Sequence, residues 1–438
     1  MAVAPAFCAI DFGTSNSGIA VPDAAGTGVA LVPVEGTQTT MPTAVFYAVE
    51  GLAAHEAPRA MFGRAAIAAY VEGIEGRLMR SMKSILGSTL AERSTEVGAG
   101  RSVRYLDVIA TYLRHLKARA EAHAQAPMER VVLGRPVFFV DDEPERDAAA
   151  QAALAQAARG VGFSELSFQY EPIAAAFDYE QRVDSEQRVL VCDIGGGTSD
   201  FSLVRVGPDR RGRLDRRDDI LANHGVHIAG TDFDRHVELR AILPTCGFGS
   251  TGRSVQGSVP REVPSGIYFD LATWHLINTC YTPQRVGEFR AMRRFYGDPR
   301  HHARLMQVLT QRLGHGLAAA AEGAKIGVAE GQDALIDLSL IEAGLQVVLH
   351  ERDAMAAIDA DLQRIVRGAR EAAALAGVAA GDVDALYFTG GSTGLRTLVQ
   401  AIAQDFPQAR VVRGERFASV ATGLGVHARR LFGRSPQI

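Results

Sequence analysis

The chain contains one local pattern twice: an apolar strand that ends in aspartate, a turn of small residues, and a second apolar strand. The first copy is Ala6–Val21 and the second is Val189–Val204. Each copy predicts a β-hairpin with a tip of glycine, threonine and serine. The two aspartates, Asp11 and Asp193, lie 182 residues apart in a chain of 438. A spacing of that length indicates a duplicated domain rather than a short structural repeat.

Helices and strands alternate outside the two hairpins. Val131–Phe139 has the composition of a strand, and the alanine-rich run Glu143–Arg159 favours a helix. Apolar residues recur every fourth position over Leu305–Leu317 and over Ile358–Val366, which predicts amphipathic helices. Ala385–Ile402 predicts a strand, a glycine turn and a helix. The predicted fold class is therefore α/β.

The glycine turns have a chemistry that suits phosphate. A turn of Gly, Thr and Ser exposes backbone N–H groups with little obstruction by side chains, so it can surround phosphate oxygens. The aspartate before each turn adds a carboxylate, and two carboxylates beside such turns suit a hydrated Mg²⁺ ion. The alternative is that each turn only closes a hairpin. Three such turns in one chain favour a nucleotide site.

Two other nucleotide-binding motifs are absent from the sequence, and a hydrolase motif is present but poorly supported. The chain has no GxxxxGK[ST] phosphate loop, and no GxGxxG follows a strand and opens a helix. Gly390–Gly394 fits GxSxG, the nucleophile turn of α/β-hydrolases. An esterase would then need an acid and a histidine downstream, and only Asp405 and His427 follow. Too little chain remains there to build that scaffold.

Composition excludes several classes of function. A net charge of -4 with no basic tract argues against nucleic acid as a partner. The apolar runs are shorter than the ~20 residues that cross a bilayer, and the first residues lack a secretory pattern, so we expect a cytoplasmic protein. Four cysteines without ligand spacing predict neither disulfides nor a zinc site.

Lysine is scarce in this chain. Of 46 basic residues only Lys83, Lys117 and Lys325 are lysines, and the rest are arginines. A compact ammonium and a planar guanidinium differ in shape and hydrogen bonding. A lysine in this background therefore indicates a position where arginine is a poor substitute.

At these motifs the sequence resembles the actin-like ATPase superfamily of sugar kinases, heat-shock chaperones and actin, and most closely its DnaK-type, seventy-kilodalton heat-shock branch. The resemblance covers most of the chain except about 239–311. It implies a duplicated, ribonuclease-H-like fold with two lobes around a nucleotide cleft. The matching segments, in the family's order, are Asp11–Ser17, Ser81–Gly87, Glu171–Ala176, Asp193–Asp200, His227–Asp234, Glu322–Lys325 and Gly390–Thr393.

The resemblance implies ATP or ADP with Mg²⁺ as ligands, and it assigns roles to individual residues. Asp11 and Asp193 would hold Mg²⁺ through water. The implied catalytic residues are Lys83, Glu171, Asp193 and Asp200. The implied nucleotide-binding residues are Gly13, Thr14, Ser15, Asn16, Gly195, Gly196, Gly197, Thr198, Gly230, Glu322, Lys325, Gly390, Gly391 and Ser392.

Three positions depart from the family pattern on the adenosine side. Ile326 stands where the resemblance implies an arginine that stacks on adenine. Ala329 replaces a small hydroxyl residue, and Gly394 replaces another arginine. We therefore expect weaker ATP binding than in the full chaperones, or a base held by other side chains.

The resemblance also predicts the domain organisation. Lobe I would comprise 1–187 with a closing helix in 413–438, and lobe II would comprise 188–412 with an enlarged insertion at about 239–311. This organisation is similar to that of the YegD-like subgroup, which lacks a substrate-binding domain.

The predicted function is binding and slow hydrolysis of MgATP coupled to lobe closure, in a chaperone ATPase. The alternative is a nucleotide-binding switch or a partner-docking module with little turnover. The expected ligand is a nucleotide, and protein clients or co-chaperones are expected partners that the sequence does not identify. Nucleic acid and membrane are not expected partners.

Overall fold

The computed structural model describes residues 6–52, 56–88, 91, 93–98, 100–140, 143–252, 261–329, 331–414 and 418–433. Its mixture of helices and several sheets confirms the predicted α/β class. Two compact units are present. The first comprises Met1–Val226, Gly368–Gly391 and Ala403–Ile438, and the second comprises His227–Arg367 and Ser392–Ile402. The lobe boundaries proposed from the sequence stay a prediction.

The strands are β1 Phe7–Phe12, β2 Asn16–Pro22, β3 Val29–Leu31, β4 Thr40–Pro42, β5 Ala44–Ala48, β6 Arg59–Phe62, β7 Gly76–Arg80, β8 Ser94–Gly98, β9 Arg101–Arg104, β10 Arg130–Arg135, β11 Glu165–Tyr170, β12 Gln187–Ile194, β13 Ser199–Val206, β14 Ile220–Val226, β15 Ala334–Asp337, β16 Gln346–Leu349, β17 Ala385–Thr389 and β18 Arg410–Arg413. The α-helices are α1 Gly63–Val71, α2 Tyr105–Ala124, α3 Pro144–Gly160, α4 Glu171–Glu180, α5 Gly230–Val237, α6 Gly266–Leu271, α7 Pro283–Ala291, α8 Pro299–Thr310, α9 Gly314–Ala329, α10 Glu351–Leu375, α11 Arg396–Asp405 and α12 Ser419–Phe432.

Two sheets of the first unit share one design. In the first sheet, β1 pairs antiparallel with β2 and parallel with β10. In the second sheet, β12 pairs antiparallel with β13 and parallel with β17. Both predicted hairpins are therefore confirmed. The matching pairing of β1 and β12 agrees with the duplication that the sequence predicts.

The strand predicted at 131–139 is shorter in the structure. It is β10, which ends at Arg135. Pro136 follows, and a proline lacks the backbone N–H group that a further ladder hydrogen bond would need. The predicted helix at 143–159 is α3, which begins at Pro144.

Helix α12 packs on α4 and on the first sheet, and it corresponds to the helix predicted within 413–438. Residues 415–417 and 434–438 of that range lie outside the described residues. The contact with α4 depends on Gly423, because a Cβ atom there would overlap the backbone of Ala174. Leu424, next to it, is fully buried. The two helices can approach closely because α4 contains alanines and α12 contains glycine at the crossing.

We expect Gly423→Ala to destabilise the protein by about 1–3 kcal/mol, because the added methyl group forces the helices apart. Thermal or denaturant unfolding measures this change. Gly287→Ala in α7 is the matched control, since nothing lies within 4 Å of a Cβ atom at that helical position. It should leave stability unchanged or increase it by up to about 1 kcal/mol. Equal melting temperatures for the two variants would contradict the close helix contact.

The second unit has a hydrophobic core of its own, to which the predicted insertion contributes. Leu243, Tyr268, Leu271 and Leu305 are fully buried there. Residues 253–260 of the insertion lie outside the described residues. The insertion is therefore a folded part of the second unit wherever the structure describes it.

The segment 305–317, in which leucine recurs every fourth residue, does not form one continuous helix. Helix α8 ends at Thr310 and α9 begins at Gly314. Arg312 between them has a φ of 55°, the left-handed conformation that ends a right-handed helix. The apolar periodicity continues because Leu305, Leu309 and Leu317 face the same core.

Helix α10 is the longest of the described helices, and it confirms the second predicted amphipathic run. Ile358, Leu362 and Val366 are buried. Charged residues along its other faces keep it too polar for a membrane. Within the described ranges, no helix combines the length and the apolar character that a bilayer span requires.

Candidate functional site

The tips of the two repeated hairpins lie beside each other in the first unit. A Cβ atom on Gly196 would lie 2.9 Å from Oγ of Ser15. Within the second tip, the N–H of Gly195 donates to the carbonyl of Thr198 at 3.0 Å. The structure therefore brings together the predicted phosphate-contacting residues of both turns, which are Gly13, Thr14, Ser15, Asn16, Gly195, Gly196, Gly197 and Thr198.

Asp11 and Asp193, each the penultimate residue of its strand, belong to one cluster of negative charge. Burial raises the pKa of Asp11 to about 8, with a further increase from Glu171 and a decrease from Lys83. Burial also raises the pKa of Asp193 to about 7, with further increases from Asp200 and Glu171. The cluster therefore carries more carboxylates than its single lysine neutralises.

Lys83 and Glu171 form an ion pair within this cluster, with Nζ of Lys83 2.5 Å from Oε1 of Glu171. Only 9% of the lysine side chain and 16% of the glutamate side chain are exposed. Lys83 lies on a short 3₁₀ turn, Met82–Ile85, that follows Ser81 in a left-handed conformation. Glu171 begins α4, where the partial positive charge of a helix N-terminus favours a carboxylate.

Two glycines, Gly134 and Gly390, lie next to these carboxylates. A Cβ atom on Gly134 of β10 would lie 3.2 Å from Oε1 of Glu171. A Cβ atom on Gly390 would lie 2.7 Å from Oδ1 of Asp193, and Gly390 has a φ of 88°. Gly390 was predicted as a nucleotide contact, whereas Gly134 was missed. Its signal in the sequence is a lone glycine inside an apolar strand.

Asp200 lies opposite Asp193 in the ladder between β12 and β13. Its Oδ2 accepts a hydrogen bond from Oγ1 of Thr198 at 2.9 Å. This bond links the second phosphate turn to the acidic cluster. Asp200 therefore lies next to the turn and to Asp193, and its catalytic role stays a prediction.

The predicted nucleotide-binding residues Gly230, Glu322, Lys325 and Ser392 belong to the second unit, whereas Gly391 belongs to the first. Nζ of Lys325 lies 2.7 Å from Oδ1 of Asp234 and 3.3 Å from the carbonyl oxygen of Gly230. Burial raises the pKa of Asp234 to about 6, and Lys325 counteracts part of that increase. The sequence did not assign Asp234 as the partner of this lysine.

Ile326 has an exposed side chain on α9, with 55% of its surface accessible. An exposed isoleucine can make apolar contacts but offers no hydrogen bond. The isoleucine that replaces the expected arginine therefore lies at an exposed position of α9 and not in the hydrophobic core.

The histidine and the acid of the esterase alternative have other partners. Nδ1 of His427 lies 3.0 Å from Nε2 of Gln169, and its ring stacks on Phe177. Burial lowers the pKa of His427 to about 4, which makes it a poor general base near neutral pH. Asp405 forms an ion pair with Arg370. These contacts do not support an esterase site.

Magnesium fits the donor set of the first unit. Buried carboxylates with raised pKa values gain most from a cation, and Mg²⁺ prefers oxygen ligands while it keeps several waters. The described residues contain no group of three or more His, Cys, Asp or Glu arranged to bind a metal directly. Binding through water by Asp11 and Asp193 remains the arrangement that the sequence predicts.

The paired hairpins, with a carboxylate one residue before the end of each first strand, define the class of protein: an actin-like ATPase fold. The sequence matches the family model of the Hsp70 protein over residues 7–241, more than half of the chain. The chain therefore belongs to the Hsp70 family and is an Hsp70-like nucleotide-binding protein. The matched segment contains both hairpins, Lys83 and Glu171, so the resemblance stated from the sequence is confirmed at the level of the family.

Proposed function

We propose that the chain binds MgATP and hydrolyses it to ADP and phosphate. The observation that supports this most strongly is the buried pair of Lys83 and Glu171 beside Asp11 and Asp193. A basic group, an acidic group and two phosphate turns in one place match the needs of phosphoryl transfer to water, which are positioning and stabilisation of charge.

Each residue of the cluster has a role in this proposal. The N–H groups of both turns and the Lys83 ammonium stabilise negative charge on the transferred phosphoryl group. Glu171, with Asp193, orients the attacking water. The water gives a proton to the Glu171 carboxylate as its oxygen bonds to the γ-phosphorus, the bond from phosphorus to the bridging oxygen breaks with its electron pair on that oxygen, and ADP leaves. Asp11 and Asp193 would hold Mg²⁺, which neutralises phosphate charge when bound.

In this proposal the ion pair between Lys83 and Glu171 rearranges when the substrate enters. Because Glu171 accepts a hydrogen bond from Lys83, an entering γ-phosphate competes with Glu171 for the ammonium. Transfer of Lys83 to the phosphate leaves the Glu171 carboxylate available to accept a hydrogen bond from water. In this proposal, binding of the substrate completes the site.

Single-turnover hydrolysis of ATP by the purified chain tests the proposal. We expect Glu171→Gln to slow hydrolysis at least about tenfold, since the amide cannot accept a proton from water, while MgATP still raises the melting temperature. Lys117→Ala is the control, because Lys117 pairs with Glu121 within α2 and is not among the charges that act on Asp11 or Asp193. Hydrolysis by the parent no faster than by the Glu171 variant would favour the alternative, a nucleotide-binding switch with little turnover.

We further propose a chaperone-related role in the cytoplasm, with protein clients or co-chaperones as partners. Membership of the Hsp70 family supports this role. Assignment to the YegD-like subgroup stays a prediction that rests on the sequence of the insertion at 239–311.

A further inference from the structure

We propose that the loop between β13 and β14, residues 207–219, sets the position of Glu171 by holding both ends of α4. Arg216 and Arg217 of this β13–β14 loop are the positioning residues. The inference rests on the proposed role of Glu171 in hydrolysis. All residues involved belong to the first unit.

Arg216 holds the C-terminal end of α4. Its Nη2 donates to Oε1 of Glu180 at 2.8 Å and its Nη1 donates to Oε2 at 3.1 Å, a bidentate pair. Neither side chain is exposed to solvent. The N–H of Gly207, at the start of the same loop, also donates to Oε1 of Glu180 at 3.3 Å. The last residue of α4 is therefore fixed in position and orientation by the loop.

The loop also fixes the backbone just beyond α4. Nε of Arg211 donates to the carbonyl oxygen of Glu180 at 2.9 Å, and its Nη2 donates to that of Val183 at 2.5 Å. A cation that donates to carbonyl groups at a helix C-terminus is favourable, because those groups have no partner within the helix.

Arg217 holds the other end of α4. Its Nε donates to the hydroxyl oxygen of Tyr170 at 3.3 Å. Tyr170 is the residue immediately before Glu171, and its backbone conformation is extended where the helix begins. The guanidinium of Arg135 lies 5.1 Å from the centre of the Tyr170 ring, so the ring is held on its face as well as at its hydroxyl group.

Arg216 also contacts the middle of α4. The guanidinium of Arg216 lies 5.5 Å from the centre of the Phe177 ring, and that of Arg430 on α12 lies 4.9 Å from it. Helix α4 spans about 15 Å. A helix of this length moves as a stiff unit, so a shift at Glu180 is transmitted to Glu171 at the other end.

The pair of Arg216 and Glu180 is poorly explained by stability alone. Burial of two charges is costly, and apolar residues of similar volume often replace such pairs with no loss of stability. Arg216 also donates to Asp219, which accepts from Arg210 as well. The hydrogen bonds of this network depend on distance and angle, so they fix the position of α4. An apolar contact of the same size would not fix that position. Fixing Glu171 to within a fraction of an ångström is a requirement of catalysis.

Two variants separate positioning from stability. The first is the double substitution Arg216→Met with Glu180→Met, which removes both buried charges and leaves Asp219 paired with Arg210. The second is Arg217→Ala, an exposed residue whose loss leaves the core intact. Controls are Arg213→Ala, an exposed arginine of the same loop, and Arg182→Ala, whose ion pair with Asp178 lies on the surface of α4.

We expect both test variants to lower the single-turnover rate by about tenfold, with MgATP affinity within about twofold of the parent. The double variant should keep the parental melting temperature to within a few degrees. Hydrogen exchange should become faster in α4 of both variants, while α3 exchanges as in the parent. Both controls should match the parent in every measurement.

The outcomes distinguish this inference from the proposed function. Parental turnover together with parental exchange of α4 in both test variants overturns the positioning role of the loop alone. A loss of turnover that follows a fall in melting temperature shows a structural role instead, and overturns it too. A parent chain without turnover contradicts the proposed function and removes the catalytic meaning of the loop, whatever the exchange of α4 shows.

Discussion

Replacement of Asp193 by asparagine should raise the melting temperature of the nucleotide-free protein and weaken its response to MgATP. Asp193 lies near Asp200 and Glu171, and these like charges add to the effect of burial. Asparagine has nearly the same shape and removes one charge from the cluster. The nucleotide-free protein therefore gains stability while the proposed Mg²⁺ site loses one of the two carboxylates that would hold the ion through water, the trade-off expected where function requires repulsive groups.

The effect should depend on pH in a defined direction. The pKa of Asp193 is raised from an ordinary 3.8 to about 7 in the folded protein, so the folded state binds this proton more tightly than the unfolded state does. Below about pH 4 Asp193 is protonated in both states and does not lower the free energy of unfolding. Between pH 4 and pH 7 it lowers the free energy of unfolding progressively, and above pH 7 the decrease is constant. The gain from asparagine should follow the same course.

Thermal unfolding in a chelator at several pH values measures the gain, which we expect to be about 3 °C at pH 8. A second series with Mg²⁺ and ATP should show a smaller rise in melting temperature for the variant than for the parent. Asp178→Asn is the control, because Asp178 is exposed and pairs with Arg182 on the surface. A variant that melts below the parent at pH 8 would show that Asp193 stabilises the fold, contrary to the charge argument.

The sequence predicts the parts of the fold that local patterns specify. The β1–β2 and β12–β13 hairpins follow from alternating apolar residues and small-residue turns, which act over neighbouring positions. The break between α8 and α9 could not be predicted from the leucine spacing. Its cause is the backbone of Arg312, and the leucines on both sides of the break still face one core.

The contacts between side chains in the candidate site could not be predicted from the sequence either. The sequence proposed Lys83 and Glu171 separately, through resemblance, but nothing local indicates that residues 88 positions apart form an ion pair. The arginines of 207–219 were not singled out, because a charged stretch rich in glycine and aspartate has the composition of an exposed loop. Arg216 is nevertheless fully buried. Long-range ion pairs of this kind depend on tertiary structure, which one sequence does not display.

Replacement of Lys83 by arginine should impair hydrolysis almost as severely as replacement by alanine, although arginine keeps the charge. Lys83 is 8% exposed, and its ammonium donates to the carboxylate of Glu171. A guanidinium is larger and planar, and it directs its N–H groups in a fixed fork, whereas an ammonium is a compact charge. The added volume displaces either Glu171 or the wall of the site.

We expect single-turnover rates to fall about a hundredfold for Lys83→Ala and by a similar factor for Lys83→Arg, the loss typical of removing one donor to a transition-state charge. Lys117→Arg supplies the matched control. Lys117 also pairs with a glutamate and only 15% of its side chain is exposed, but its partner is Glu121 on α2 and it is not among the charges that act on Asp11 or Asp193. Its rate should equal that of the parent.

The comparison also tests why lysine persists in a chain where arginine supplies nearly all basic residues. If only charge mattered at residue 83, Lys83→Arg would hydrolyse ATP as fast as the parent, and the shape argument would be wrong. If shape matters, Lys83→Arg fails while Lys117→Arg does not, and both variants keep their rise in melting temperature with MgATP because the phosphate turns and both aspartates remain. A loss of that rise in Lys83→Arg would place the lysine in binding of the nucleotide rather than in the chemical step.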